Sequence, residues 1–490
     1  LTARCDVIVI GGGSAAFEAA VAAKESGAGR VVMLEKAPES EYGGNARYSG
    51  TGFRFWHRGT EEIRTLVGED ADFSGVEISP YTREDFSADL GRMTMHRIDP
   101  VLSETLVEQS NAAVHWMKAL GIHWELLKEH ARVGNRRYFE RGIAVHVAGG
   151  GPGQLEQWRQ IAEARGVELR FSSAVSAIHG NMHRVEGVRV STPERDYDLA
   201  APALIACAGG FQASAEMRAR YLSGNADLVK VRGSKHDTGE VLNLLIALGA
   251  ATAGEWQSGH MSPIDAKAPD FETPQHADGR GNTMSRYDYP FGITVNALGL
   301  RFFDEGEAQH SYTYAKTGRA ILKEPGAVAW QIYDQTGIRQ HRYPHHKATF
   351  EEASDIAGLA RKIGLEPAVL AHTVEQFNAS CDDTPFDPAR PDRKKTIGLK
   401  VPKSNWAVAI EKPPFRAYPV TCGITFTFGG VKVNKEAQVL NTLQDPIKGL
   451  YASGDIMGLF FHNYPSFTGQ TRNAVFSRLA GEHAAKNPAG

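Results

Sequence analysis

Cysteine is scarce. The four in 490 residues, Cys5, Cys207, Cys381 and Cys422, form no C-x-x-C pair. That excludes the zinc and iron–sulfur signatures built on such pairs and leaves free thiols of a reducing compartment as the expectation. No apolar run reaches the roughly 18 residues of a transmembrane helix, so direct membrane insertion is not expected. No signal peptide precedes the first strand, and Leu1 rather than Met at the start suggests trimming; the expected location is cytoplasmic. An excess of one charge is also missing. The 54 basic and 57 acidic residues give −3, which excludes nucleic-acid binding driven by bulk electrostatics. Repeats and low-complexity tracts are absent. What remains, 42% hydrophobic and 23% charged, reads as a soluble globular chain. At roughly 100–200 residues per domain its length asks for two or three domains.

The local patterns are those of an α/β protein. Cys5–Ile10 is a short β-branched apolar run suited to a buried parallel strand, followed by a glycine turn and a small-residue helix. Val31–Lys36 reads as the second strand of a βαβ unit. Asp99–Leu120 and Val241–Gly249 read as helices. Val167–Val175 and Val185–Ser191 read as strands around a turn near Gly180, and Leu204–Gly210 as another buried strand. From about Trp256 the composition shifts toward histidine, aromatics and proline. Phe350–Ile363 and Pro367–Cys381 are expected helices, and Pro385–Pro402 an exposed loop. Strand-like sequence returns from Cys422, and Thr471–Ala485 is a final helix.

Gly11, Gly13 and Ala16 form G-x-G-x-x-A between the first strand and helix, with Ser14 and Ala15 at the helix start. Such glycines permit a tight turn and backbone approach to a pyrophosphate, which helix N–H groups then bind. Glu35, with Lys36 beside it, ends the second strand, where an acid accepts hydrogen bonds from ribose hydroxyls. Gly43, Gly44 and Asn45 make a second turn able to line a cofactor. Ala208, Gly209 and Gly210 close another strand. Near the C-terminus Asp455 ends a strand, and Gly469 and Thr471 start the last helix. A C-terminal return of this kind suits FAD better than a nicotinamide nucleotide.

With these pieces placed, the chain resembles the fumarate reductase/succinate dehydrogenase flavoprotein superfamily over essentially its whole length, and most of all FAD-dependent tricarballylate dehydrogenases. The resemblance is carried by YGGNARYSGTGFR (Tyr42–Arg54), VNALGLRFFDEG (Val295–Gly306), YTYAKTGR (Tyr312–Arg319), YPVTCGITFTFGG (Tyr418–Gly430) and FHNYPSFTGQT (Phe461–Thr471). It implies a Rossmann-type FAD-binding domain of the two-dinucleotide flavoprotein type, interrupted by an inserted α+β cap. The expected division is 1–255 and 422–490 for the FAD domain and 256–421 for the cap. The resemblance places His260 as a substrate-binding histidine. It also implies FAD bound non-covalently, because no histidine lies in Gly43–Gly50. Several positions depart from fumarate reductases. Where fumarate reductases have a histidine just before T-M-G-G, Thr425, Phe426 and Thr427 precede Phe428-Gly429-Gly430, and Gln309 and His310 stand where arginine is usual. Tyr464-Pro465 is closer to ketosteroid Δ1-dehydrogenases.

The implied reaction desaturates a C–C bond beside a carboxylate, with a side chain taking the α-proton and the flavin taking a hydride. His310, His462 and Tyr464 are the candidates for proton transfer. Arg54, Arg286 and Arg301 are candidates for binding carboxylates, and Thr425 and Thr427, two apart on one strand, for hydroxyl contacts from one face. The His341–His346 run is read as a solvated basic loop, and no metal is expected. The expected substrate is a small tricarballylate-like organic acid, and the expected acceptor a separate iron–sulfur or membrane protein. The alternatives are a ketosteroid Δ1-dehydrogenase, a fumarate reductase-like enzyme working reductively, or a flavin subunit that only relays electrons.

Overall fold

The computed structural model describes residues 3–68, 71–129, 131–272, 284–342 and 348–487. Its centre is a parallel sheet in the order Pro446–Ala452, Ala203–Ala206, Val7–Ile10, Val31–Leu34, Glu168–Arg170. Strands covered on both faces must be apolar on both, and VIVI and VVML are buried at every position. An antiparallel meander of Ala174–Asn181, Arg184–Ser191 and Asp196–Ala200 extends the sheet past Pro446–Ala452. The region read as one strand from 167 to 175 is therefore two strands, divided where Ser172 takes a left-handed φ of 50°.

Helix Ser14–Glu25 packs against the C-terminal helix Thr468–Lys486. Six of its twelve residues are alanine, and a Cβ on Gly481 opposite would lie 2.4 Å from the Ala19 carbonyl oxygen. Close approach of these two helices brings both N-termini to one end of the sheet.

A second, six-stranded sheet is organised by Phe415–Thr427. This long strand pairs antiparallel with Gly259–Asp265, Val328–Tyr333 and Glu351–Ala353, and parallel with Lys230–Val231. Ile293–Asn296 joins beyond Val328–Tyr333. Its own core gathers Ile293, Val295, Leu359, Leu370 and Phe377. Helix Pro367–Ser380 forms as expected, but the helix expected from Phe350 starts only at Ile356. Glu351–Ala353 is an edge strand on Phe415–Ala417, and Asp355 caps the shortened helix by accepting the Gly358 N–H at 2.6 Å. A tertiary ladder has overridden the local helix preference of Glu-Glu-Ala.

Two features of the first helix turn generate predictions. Gly11 has φ +122°, and a Cβ there would stand 2.4 Å from the Cys207 carbonyl oxygen. Gly11→Ala is expected to lower stability by on the order of 3 kcal/mol, measured by urea unfolding. Glu18 is fully buried in the helix, and neither carboxylate oxygen has a hydrogen-bond partner. Burial pushes its carboxyl from 4.5 up to about 8. The unfolded chain thus releases this proton near pH 4.5 and the folded chain near pH 8. Between these values the unfolded state binds fewer protons, so Glu18 costs stability as pH rises, by up to about 1.4 kcal/mol per pH unit. In thermal melts, Glu18→Gln is expected to match wild type near pH 4.5 and to gain a growing advantage up to pH 8. A constant difference across that window would refute the assignment.

Candidate functional site

A cavity of about 1090 Å³ runs from the C-terminal ends of the parallel strands to the end of Phe415–Thr427. At one end it is lined by Gly11, Gly13, Ser14 and Ala15 from the glycine turn, and by Glu35 and Lys36 from the second strand. Gly43, Gly44 and Asn45, then Ala208 and Gly209, continue the wall, and Asp455 and Gly469 complete it. No side chain caps helix Ser14–Glu25, so its first N–H groups stay available to an anion.

These residues fit a dinucleotide. Side chains are missing where they would fill the cradle: a Cβ on Gly209 would lie 2.3 Å from Asp237 Oδ1, and one on Gly12 2.6 Å from Glu35 Oε2. Glu35 Oε1 accepts the Ala37 N–H at 2.7 Å, and burial raises its carboxyl. Lys36 Nζ is held by Thr238 Oγ1 at 2.6 Å and Glu240 Oε2 at 2.9 Å. Asp455 is ion-paired with Arg472. Asp237 lines the same space and escaped the sequence reading. Burial, and then the negative Asp455, hold its carboxyl well above the usual range, and Oδ2 has no partner. This shift favours the protonated carboxyl, the form that can donate a hydrogen bond into the cradle.

Three of the cofactor candidates stand behind the wall rather than in it. Ala16 lies in the core under the turn. A Cβ on Gly210 would lie 2.4 Å from Thr427 Oγ1. Thr471 Oγ1 donates to the Arg54 carbonyl at 2.7 Å, tying the last helix to strand Gly52–Arg54.

The other end of the cavity is walled by aromatics. The His260 ring meets Tyr314 edge-on at 4.9 Å and Phe426 at 5.6 Å. Tyr287 lies 5.0 Å from Tyr314 and stacks on His310 at 6.0 Å. The Tyr464 hydroxyl is 2.9 Å from His260 Nδ1 and 3.5 Å from the Tyr314 hydroxyl. Burial, with Tyr314 beside it, holds the Tyr464 phenol well above its ordinary value of 10, so it keeps its proton and donates. Burial, and then the positive Arg232, hold His260 well below its ordinary 6.5, so the imidazole is neutral. Nδ1 and the Tyr464 hydroxyl share one hydrogen bond, and Nε2, buried and without a partner among the described residues, is the imidazole's open position in the chamber wall.

Thr425 and Thr427 do not share a face. Opposite the three residues from Gly259 to Met261, the long strand runs four, from Ile424 to Thr427. This bulge breaks the alternation. Thr425 and Phe426 both line the cavity, while Thr427 turns back to accept the Phe211 N–H at 3.4 Å.

None of the three predicted arginines is in the cavity wall. Arg54 is fully buried and holds the Ser466 carbonyl at 3.0 Å, the Arg141 carbonyl at 3.0 Å and the Tyr81 hydroxyl at 3.2 Å. Arg286 pairs with Asp265 at 2.8 Å. Arg301 grips Glu305 through two nitrogens at 3.1 and 2.5 Å and reaches the carbonyls of Val401 and Pro402. Each braces the fold. His462 also stands outside the wall, with Nδ1 against Arg319 at 3.2 Å and its backbone N–H on Glu255. His310 and Tyr464 do line the chamber.

A cation that the sequence reading missed lines the chamber end, Arg232. Nη1 donates to Thr425 Oγ1 at 2.7 Å and Ser262 Oγ at 3.1 Å, and Nη2 to Ser285 Oγ at 3.3 Å. Nε has no partner, and among the described residues no carboxylate pairs with this guanidinium. Nothing in the sequence singles it out from the 54 basic residues. Of the His341–His346 run, residues 343–346 lie outside the described residues. Among the described residues no group of three or more His, Cys, Asp or Glu is placed to hold a metal ion, and no helix is long and apolar enough to cross a membrane.

The family described as FAD binding domain matches residues 6–470. "Probable fumarate reductase Ifc3" of Shewanella frigidimarina is 29% identical over 493 residues, covering 98% of this chain and 75% of the relative. A solved flavocytochrome c3 fumarate reductase in its open conformation superposes with TM-score 0.72 at 26% identity, over 100% of this chain and 79% of that one. A 3-ketosteroid delta1-dehydrogenase from Sterolibacterium denitrificans shares the fold, with TM-score 0.73 at 20% identity over 99% and 100% of the two chains. The chain belongs to the FAD binding domain family and is an FAD-dependent oxidoreductase of the fumarate reductase and steroid dehydrogenase type, acting on C–C bonds.

Proposed function

We propose that this oxidoreductase desaturates the C–C bond next to a carboxylate, with an organic acid of the tricarballylate class as substrate. The observation that carries the reading is Arg232, a guanidinium in the chamber wall whose hydrogen bonds among the described residues all go to hydroxyls. Hydroxyl partners orient it without neutralising it, and so leave its charge for an incoming carboxylate. His260 Nε2, buried without a partner among the described residues, is a second polar group open to the acid on the same wall. Lys128 and Arg342 add positive charge around the cavity, as a polycarboxylate requires.

FAD, when bound without a covalent link, supplies the hydride acceptor that no side chain can provide. The chain's part is to hold the acid flat between Tyr287, Tyr314 and Phe426, to fix its carboxylate, and to move one proton. His310 and Tyr464 face that space, Tyr464 as a donor rather than a base. We assign 256–421 as the cap over an FAD domain made of 1–255 and 422–490, and a separate iron–sulfur or membrane protein as electron acceptor. A second reading, oxidation of an apolar ring ketone, is favoured by the tyrosines around His260.

Anaerobic mixing of the yellow holoprotein with tricarballylate, citrate, succinate and a 3-ketosteroid separates the two. Bleaching by a carboxylic acid is expected; bleaching by the ketosteroid alone would overturn the proposal. Reoxidation of reduced protein by the unsaturated acids, without bleaching by the saturated ones, would reverse the direction. Arg232→Met is expected to retain FAD and raise KM for the acid about 100-fold, the loss of one charge-assisted pair. Arg232→Lys should recover only part of it, because a point charge cannot reproduce the fork.

A further inference from the structure

We propose that Glu140 is the side chain that exchanges a proton with the substrate in this chamber. This rests on the function proposed above and adds a group that neither the motifs nor the relatives pointed to. Glu140 lies between strands Arg136–Tyr138 and Ile143–Val147 and lines the cavity that also holds Arg232 and His260. Its Oε1 is out of contact with solvent and has no hydrogen-bond partner among the described residues. An ionisable oxygen left without a partner costs the resting protein free energy, and an arriving substrate can relieve that cost.

The charged and titratable groups facing Glu140 are Arg54 and Arg342, which favour its carboxylate, Asp89, which opposes it, and the phenols of Tyr312 and Tyr314. His310 lines the same cavity. Burial outweighs the two arginines and raises the Glu140 carboxyl from 4.5 to about 7. Both protonation states are therefore populated at neutrality, the condition under which a group takes and returns protons efficiently. Two neighbours on the chamber wall, Tyr464 and His260, cannot do so. The Tyr464 phenol is too weak an acid, and His260 is too weak a base. In the oxidative direction the α-proton of the substrate becomes the O–H of Glu140 and then passes to solvent. In the reductive direction the same O–H delivers a proton to carbon. The hydride and its electron pair remain the cofactor's share of the exchange.

The test uses the holoprotein. Labelling by a hydrophobic carbodiimide, read by peptide mass spectrometry, is expected to modify Glu140 with a midpoint near pH 7. A midpoint below pH 5 would overturn the proposal. With an acid that bleaches the flavin, the pH profile of kcat/KM is expected to show a limb near 7. Glu140→Gln should remove that limb and lower kcat by about 100-fold, with FAD content and KM nearly unchanged. Glu140→Asp should restore a limb at a shifted pH. A limb retained in the Gln variant, but lost in His310→Ala, would give the role to His310 and remove Glu140. Glu140 labelling near pH 7 in a protein that turns over no carboxylic acid would remove the function proposed above and leave the acid standing. A profile unchanged by Glu140→Gln would do the reverse.

Discussion

One side-chain amide joins the two sheets at the cavity. Asn45, at the end of the second glycine turn, donates to the Thr425 carbonyl at the bulge of the long strand and accepts the Ser234 N–H at 2.9 Å. The fit is close: a Cβ on Gly233 would stand 2.0 Å from Asn45 Oδ1. These two bonds bring the dinucleotide turn, the 233–234 loop and the bulge to one point. Arg232 is the residue just before that loop, and Thr425 is its closest partner. The position of the cation in the chamber and the position of the cradle are therefore set by the same contact.

Burial, more than ion pairing, decides the protonation states around the cavity. It raises the Asp237 carboxyl, keeps the His260 imidazole neutral and the Tyr464 phenol protonated, and brings Glu140 into the neutral range. Against this background Arg232 is a fixed positive charge oriented by hydroxyls. An apolar chamber with one oriented guanidinium favours charge that develops next to it, since low dielectric strengthens the interaction and no reorganisation is needed.

The bracing arginines show that residue type alone does not reveal whether a cation is spent within the fold. Arg54 and Arg301 sit in motifs and Arg286 outside them, and each holds carbonyls or carboxylates of the fold. Arg54 connects the Ser466 carbonyl, beside the last helix, to the 141 loop that carries Glu140. Its contribution to the site is positional, through the loop it holds.

The βαβ unit, the glycine turn, the acid at Glu35 and the C-terminal return at Asp455 and Gly469 are legible in the order of residues. They are so because strand, turn and helix there are contiguous, and their apolar spacing and small residues are local requirements of the backbone. The sequence misjudged the helix start at Ile356 and the face of Thr427, because an edge ladder and a one-residue bulge depend on a partner strand that is distant in sequence. Tertiary structure alone decided which cation reaches the chamber. Arg232, Glu140, His260 and Tyr464 come from four separate stretches, and what distinguishes Arg232 from Arg301 is the missing carboxylate beside it. Burial and the absence of a partner are properties of the packed chain, and residue type and spacing do not encode them.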